Sequence, residues 1–202
     1  MRKKTEHRRQ AILAVATQVF REMGFERATM TEICARSGGS KATLYSYFPS
    51  KEALFFEVMF LSVDADFDSN YRNLYPAIDD LPLALRNFGE RMLNMLYSPS
   101  VLAARRLMVA ESGRSALGQL CYARGPQQGA ARMAEFLQLS MQAGKLRPAD
   151  ALTAAHHLRG LLEAELLDDF LFNLTKTRDQ TEIKLIVERA ITVFMLAYGP
   201  LV

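Results

Sequence analysis

The chain has 202 residues, half of them hydrophobic, and a net charge of +3. This length fits one or two compact domains, and this apolar content excludes global disorder. Two distant cysteines, Cys34 and Cys121, argue against a disulfide scaffold or a zinc ribbon and fit a reducing compartment. No apolar run reaches the roughly 18 residues of a membrane span, and the basic N-terminus is not followed by a secretory apolar segment. We therefore expect a cytoplasmic protein.

The charge is unevenly distributed along the chain. Residues 1–51 contain ten basic and four acidic side chains, a balance of +6, whereas residues 52–202 contain fifteen basic and eighteen acidic ones, a balance of −3. A basic head on a mildly acidic body suggests a polyanion partner at one end. A solvated charged face is the alternative.

Helical signals dominate the first sixty residues. An apolar stripe from Ile12 to Met23 has the helical period and stops at Gly24. Thr29 or Thr31 can begin a short second helix, and the spacing from Thr29 to Glu32 matches a capping box.

The next breaks delimit a third helix. The run Ser37–Gly39 ends the second helix, Ser40 is a natural N-cap, and Phe48-Pro49 ends the third helix. Ser50 can cap a fourth helix.

Further helices are predicted over 82–97, 100–113, 122–143, 150–173 and 180–198. The predicted fold class is all-α with about nine helices. The chain is expected to divide into a helix-turn-helix head over 1–58 and a body over 59–202 for effector binding and dimerisation.

The third helix has the chemistry of a DNA reader. On a helical wheel Leu44 and Phe48 share the inner face, whereas Ala42 and Ser46 point outward with Thr43 beside them. Small and hydroxyl side chains there can approach base edges, and the surrounding hydroxyl and ammonium groups can bind phosphates. The predicted DNA-binding residues are Thr29, Ser40, Lys41, Ala42, Thr43, Tyr45, Ser46, Tyr47 and Lys51, with Arg2, Lys3 and Lys4 of a basic N-terminal arm that also includes Arg8 and Arg9. The alternative is that the tyrosines are core residues.

The chain closely resembles the TetR (tetracycline-repressor-like) transcriptional regulators in Thr29, Ile33 and the run from Ser37 to Leu54, SGGSKATLYSYFPSKEAL. The resemblance implies a dimeric, all-α, ligand-responsive DNA-binding protein, usually a repressor. The positions that commonly face DNA in family members match Thr29, Ser40, Lys41, Ala42, Thr43, Tyr45, Tyr47 and Lys51. Three positions depart from the family: Gly39 replaces a usual valine, which predicts a looser turn, Ser37 replaces a common alanine, and Ser46 replaces a larger side chain.

The body resembles a TetR subgroup that includes multidrug-efflux repressors, in Arg106–Glu111, Tyr122–Pro126 and Gly144–Arg147. The resemblance implies a small hydrophobic effector and a drug-efflux operon. Methionine and aromatic side chains suit an adaptable apolar pocket, although ordinary core packing is the more frequent role for any one of them. The candidate pocket residues are Phe88, Met92, Met108, Tyr122, Met133, Phe136 and His157.

Acidic and histidine side chains lie on the helix predicted over 150–173. Glu163, Glu165, Asp168 and Asp169 are expected mainly on its solvent side, with attraction of a cationic drug as the alternative. Adjacent His156-His157 point about 100° apart on a helix and cannot share a metal. No metal and no cofactor are predicted.

The last predicted helix is apolar on most sides, so it has to be covered on most sides. A symmetry partner is the expected cover, with the helix over 150–173 completing a four-helix bundle. The predicted interface residues are Leu158, Leu162, Ile183, Val187, Ile191 and Phe194. Burial inside a single subunit is the alternative.

These patterns predict a homodimeric repressor that binds a palindromic operator in double-stranded DNA and is released by a small hydrophobic effector. The alternative is an architectural, chromosome-organising DNA-binding protein without a ligand. An enzyme is not expected, because the sequence has no nucleophile elbow, P-loop or dinucleotide fingerprint.

Overall fold

The computed structural model of the chain describes residues 5–75, 80–113, 116–174 and 178–200. These residues form an all-helical structure, which confirms the predicted fold class. The helices are α1 (Glu6–Arg27), α2 (Met30–Ser37), α3 (Lys41–Tyr47), α4 (Lys51–Arg72), α5 (Leu81–Leu96), α6 (Pro99–Glu111), α7 (Leu117–Tyr122), α8 (Gln128–Gln142), α9 (Ala151–Glu163), α10 (Leu167–Leu171) and α11 (Gln180–Tyr198).

The chain divides into two compact units, Met1–Asp64 and Ala65–Val202. We call them the head and the body. The division falls inside α4, six residues after the predicted boundary at residue 58. Within the described ranges, no helix combines the length and the apolarity needed to cross a bilayer.

The head is built around one apolar cluster contributed by α1 to α4. Ile12, Ile33, Leu44 and Leu54, one from each helix, are at most 2% exposed and belong to this cluster. Gly24 interrupts α1 with a φ of +73°, a conformation that glycine adopts without steric cost. The predicted stop at this glycine is confirmed.

The body is built around a second cluster, to which α5, α8, α9 and α11 contribute. Phe88, Phe136, Leu158 and Phe194 are fully or almost fully buried in it. The apolar stripe of each helix therefore faces its neighbours in the same subunit. Burial of this apolar surface is the main favourable term for the body.

Two predicted helices of the body differ from the structure. The helix predicted over 122–143 is α-helical only from Gln128, because Ala123–Gln127 form a π-helical turn that contains Pro126. Proline has no N–H and clashes with the preceding turn, so the regular α-helix cannot continue through it.

The helix over 150–173 ends at Glu163 and resumes as α10. Tight turns join Ala164 N–H to Leu161 O and Leu166 N–H to Glu163 O, and Arg178 donates to the carbonyl of Glu165 at 3.3 Å. No glycine or proline marks this break, so a sequence pattern could not reveal it.

Candidate nucleic-acid interface and body sites

Capping and two buried side chains position α3 in the head. The Ser40 hydroxyl accepts from Thr43 N–H at 3.1 Å, as predicted for an N-cap. Leu44 and Phe48 are buried, as predicted, and Phe48 N–H donates to Leu44 O as the helix ends. Gly38 and Gly39 have φ values of +71° and +100°, so the turn before α3 uses a left-handed backbone. The outward face of α3 follows from these constraints.

The outward face of α3 presents four exposed side chains: Lys41, Ala42, Tyr45 and Ser46. Tyr45 is 47% exposed although it is a large aromatic residue, so the core-packing alternative does not apply to it. The hydroxyl of Ser46 donates to the carbonyl of Thr43 at 2.7 Å.

Thr43 is half-buried, and its hydroxyl lies 3.0 Å from that of Ser40. Thr29, at the N-cap of α2, is exposed and accepts from Glu32 N–H at 3.1 Å. The carboxylate of Glu32 accepts from Arg36 at 2.7 Å. Arg2, Lys3 and Lys4 lie outside the described residues.

Two predicted phosphate-binding side chains contact the head itself. The Tyr47 hydroxyl accepts from Thr5 N–H at 2.9 Å. The Lys51 ammonium donates to the carbonyl of Phe25 at 2.9 Å and lies 4.2 Å from the centre of the Phe25 ring. Lys51 therefore caps the end of α1, and a phosphate contact has to compete with these bonds.

Most basic side chains described in the head bind groups of the head. Arg8 donates to the carbonyls of Ser37 and Gly38, and Arg9 pairs with Glu57. Five of the seven basic residues described there make such contacts: Arg8, Arg9, Arg27, Arg36 and Lys51. The sequence pattern places Arg8 and Arg9 in a basic arm and does not reveal this internal role, because their partners are 29 and 48 residues away in the chain.

The predicted pocket residues of the body do not form one group. Phe88, Met92, Met133 and Phe136 lie together in the body cluster and are buried. The other three lie apart from this group. Met108 is half-buried on α6, Tyr122 is exposed on α7, and His157 is exposed on α9 with its Nδ1 atom 2.5 Å from the Tyr198 hydroxyl.

An apolar groove of about 320 Å³, open to solvent, lies between α5 and α11. It is lined by Pro82, Arg86, Ile191, Thr192, Met195 and Leu196. The predicted pocket residues are not among these lining residues.

The six predicted interface residues are core residues of the subunit. Leu158, Leu162, Ile183, Val187, Ile191 and Phe194 are at most 4% exposed and pack in the body cluster. A side chain that is already covered cannot form the surface of a dimer, so this residue set has to be corrected. The exposed apolar side chains of α11 are Leu185, Val193 and Leu196, the last 83% exposed.

A paired carboxylate is buried where α6 meets α9. Glu163 is 8% exposed, and its two oxygens accept from Arg105 at 2.5 Å and from Arg159 at 3.0 Å. Burial by itself would raise the pKa of Glu163, but the two guanidinium groups outweigh it and hold this pKa below its usual value. The expectation of a solvent-side position is wrong for Glu163 and right for Glu165 and Asp168, which are exposed.

The head has the arrangement of a helix-turn-helix protein: a short exposed helix follows a glycine turn and is held by two other helices. The model of bacterial regulatory proteins of the TetR family matches residues 12–58. The model of the C-terminal domain of AefR-like transcriptional repressors matches residues 83–200. The chain belongs to the TetR family.

Two solved structures resemble this chain over almost its whole length. A protein described as a TetR-family transcriptional regulator from Mesorhizobium loti MAFF303099 is 26% identical, with 97% of this chain and all of that one covered and a TM-score of 0.82. The flavonoid-responsive regulator FrrA is 30% identical, with 98% and 100% covered and a TM-score of 0.70.

A curated relative matches only in part. The uncharacterised HTH-type transcriptional regulator YfiR of Bacillus subtilis is 29% identical over 113 residues, which are 51% of this chain. The chain spans 55% of the length of YfiR.

Replacement of the buried carboxylate tests its structural role. We expect Glu163→Gln to lower the free energy of unfolding at pH 7 by on the order of 3 kcal/mol, because two cations lose their countercharge in a poorly hydrated site. Glu165→Gln is the matched control, since Glu165 is an exposed carboxylate that pairs with Arg189, and it should cost less than about 1 kcal/mol. Chemical denaturation measures both.

The difference in unfolding free energy between the parent and Glu163→Gln should depend on pH with a definite sign. Because the folded pKa of Glu163 is lowered from 4.5, its ionised form stabilises the protein above that pH, and the contribution is lost as the pH falls through the folded pKa. The difference in unfolding free energy between the parent and Glu163→Gln should therefore become smaller below pH 4.5. A gap that stays constant to lower pH would show that charge is not its source.

Proposed function

We propose that this protein is a transcriptional repressor that binds a palindromic operator as a homodimer and is released by a small hydrophobic effector. The observation that carries the proposal is the exposed polar face of α3, held on a helix-turn-helix head whose companion body matches a repressor C-terminal domain.

The face of α3 suits the major groove of DNA. Lys41 can bind a phosphate, Tyr45 can donate its hydroxyl to one, and Ala42 is small enough to contact a thymine methyl group. Thr43 can add a base contact, although its hydroxyl also takes part in the N-cap of α3. This is a small reading surface, so specificity depends also on DNA shape and on the spacing of two half-sites.

The outer surfaces of α9 and α11 support a two-fold arrangement through these helices. Leu185, Val193 and Leu196 are exposed on α11, and His156 and Gly160 are exposed on α9. Exposed apolar side chains grouped on one helix are typical of a protein interface. A second copy would cover these side chains and bring two α3 helices to one operator.

Effector control is proposed for the body cluster around Phe88, Met92, Met133 and Phe136. Methionine side chains repack easily, so an apolar molecule could enter by displacing them. FrrA is flavonoid-responsive by its name and is 30% identical to this chain, which makes a flavonoid the first probe. Control of an efflux operon stays a prediction.

The architectural alternative is less favoured because of the body. A helix-turn-helix head serves regulators and architectural proteins alike, but residues 83–200 match a repressor domain.

Operator binding can be tested with variants of α3. We expect the parent to bind a palindrome upstream of its own or a neighbouring operon. Lys41→Ala should weaken binding to every sequence and lower the salt slope by about 0.9, the value for one lost phosphate contact. Thr43→Ala should instead alter base preference by about 1–3 kcal/mol at one position of each half-site. Fluorescence anisotropy against single-base operator variants measures both effects.

The control for this experiment is Arg21→Ala, which removes an equal charge from an exposed position on α1. Failure of the parent to bind such a palindrome at low salt contradicts operator binding. Affinities of both α3 variants equal to that of the parent contradict the proposed docking of α3.

Dimerisation can be tested at Leu196. Leu196→Glu should shift the protein from dimer to monomer in analytical ultracentrifugation, because the charge would be buried in the proposed interface. Leu120→Glu, at a residue that is 64% exposed on α7, should leave the dimer intact. Circular dichroism checks that both variants stay helical, and a dimeric Leu196→Glu protein rules out this interface.

Effector release can be tested on the protein–operator complex with a flavonoid, a lipophilic cation and a long-chain fatty acid. At least one should weaken operator binding by about 5- to 150-fold, the usual range of coupling between two sites. An unrelated helix-turn-helix protein on its own site controls for direct effects on DNA. An operator complex that survives saturation with all three probes contradicts the proposed effector class.

A further inference from the structure

The first turn of α1 contains an arginine whose partners lie at the turn before α3. Arg8 Nη1 donates to the carbonyl of Ser37 at 3.0 Å, and Nη2 donates to the carbonyl of Gly38. These are the last carbonyl of α2 and that of its C-cap. Arg8 is half-buried, so its guanidinium acts as a C-terminal cap that α1 supplies to α2.

The carbonyls at this turn need such a donor. The last carbonyls of a helix have no partner within it, and a cation near a helix C-terminus interacts favourably with the partial negative charge there. The planar fork of arginine can bind two adjacent carbonyls at once, which a single ammonium group cannot do with the same geometry.

Gly39 leaves the space that Arg8 occupies. A Cβ atom added at Gly39 would lie 2.7 Å from Arg8 Nη2, closer than real Cβ atoms approach other heavy atoms. The carbonyl of Gly39 accepts from the Cys34 thiol at 3.5 Å. The turn at Gly39 is therefore held by two contacts, from Arg8 and from Cys34, although a glycine at this position predicts a looser turn.

The same turn of α1 also contacts the other end of α3. Thr5 N–H donates to the Tyr47 hydroxyl, and the guanidinium of Arg9 lies 5.5 Å from the centre of the Phe48 ring. The start of α1 therefore contacts both ends of α3. Arg8 contacts the turn before α3, whereas Thr5 and Arg9 contact residues at its C-terminal end.

We infer that Arg8 is a positioning residue for the DNA-reading helix: it binds the turn at Ser37–Gly39 and thereby fixes the start of α3, without itself contacting DNA. This inference rests on the proposed operator binding. Without Arg8, only a fraction of the molecules has the turn ordered for DNA binding. The observed affinity is then the intrinsic affinity multiplied by that fraction. A phosphate contact by Arg8 is the competing outcome.

Salt dependence separates the two roles. Arg8→Ala should lower operator affinity by about 10- to 100-fold, the equivalent of a charge-assisted hydrogen bond, with the salt slope of the Arg21→Ala control. Arg8→Lys should restore only part of the affinity, although it restores the charge. Operator affinity equal to that of the control overturns the inference. If the salt slope of Arg8→Ala is smaller than that of Arg21→Ala by about 0.9, Arg8 contacts a phosphate and the inference is overturned.

A measurement without DNA tests the contact itself. Gly39→Ala is strained by its φ in any background, but it crowds the guanidinium only when Arg8 is present. Thermal unfolding of the parent, Arg8→Ala, Gly39→Ala and the double variant should therefore show a smaller loss from Gly39→Ala in the Arg8→Ala background. Additive losses overturn the inference. If the parent binds no operator, the proposed function fails, and this cycle still decides whether Arg8 holds the turn.

Discussion

Cationic side chains of the head bind carbonyl oxygens at the ends of α1 and α2, the two helices that precede α3. Lys51 binds the carbonyl of Phe25 at the end of α1, and Arg8 binds those of Ser37 and Gly38 at the end of α2. Helix ends carry unpaired carbonyls and partial negative charge, so each contact satisfies a hydrogen-bonding requirement and an electrostatic one. The short α3 has only seven residues and depends on its neighbours for its orientation.

This use of charge alters the meaning of the basic head. A surplus of cations in sequence suggests a surface that attracts phosphates, yet Arg8, Arg9 and Lys51 bind partners inside the head. The long-range field of the head remains positive whatever the internal contacts, and it still favours association with DNA. Short-range contacts are a separate matter, because the N–H groups that Arg8 donates to the carbonyls of Ser37 and Gly38 are not available to a phosphate.

The body combines an apolar core with a buried ionic cluster around Glu163. The stripes of α5, α8, α9 and α11 meet at Phe88, Phe136 and Phe194, and Glu163 joins α9 to Arg105 of α6. Burial raises the pKa of the Tyr97 phenol beside this cluster to about 12, so the phenol stays neutral and its hydroxyl lies 3.4 Å from Glu163 Oε1. The ionic contact has directional requirements that apolar packing lacks, so it restricts how α6 can move against α9.

Sequence patterns predicted the helices of the head closely and those of the body in part. The caps at Ser40 and Ser50 depend on residues three positions away, and such local signals can be read from a chain. The break after Glu163 lies beside a carbonyl that accepts from the distant Arg178, and the surface that α11 exposes is set by which side of the helix the core occupies. A helix that is apolar all round gives no sequence signal to separate a core face from a partner face.

The sequence by itself determined the all-α class, the helix-turn-helix motif, the outward positions of Ala42 and Ser46 and the family resemblance, because each depends on residues close together in the chain. The tertiary structure decided which cations are available to a partner, which side of α11 is exposed, and that Glu163 is buried between two arginines. These properties depend on contacts across tens of residues, such as the 58 that separate Arg105 from Glu163. Burial and pairing arise only when distant segments meet, so composition and periodicity cannot specify them.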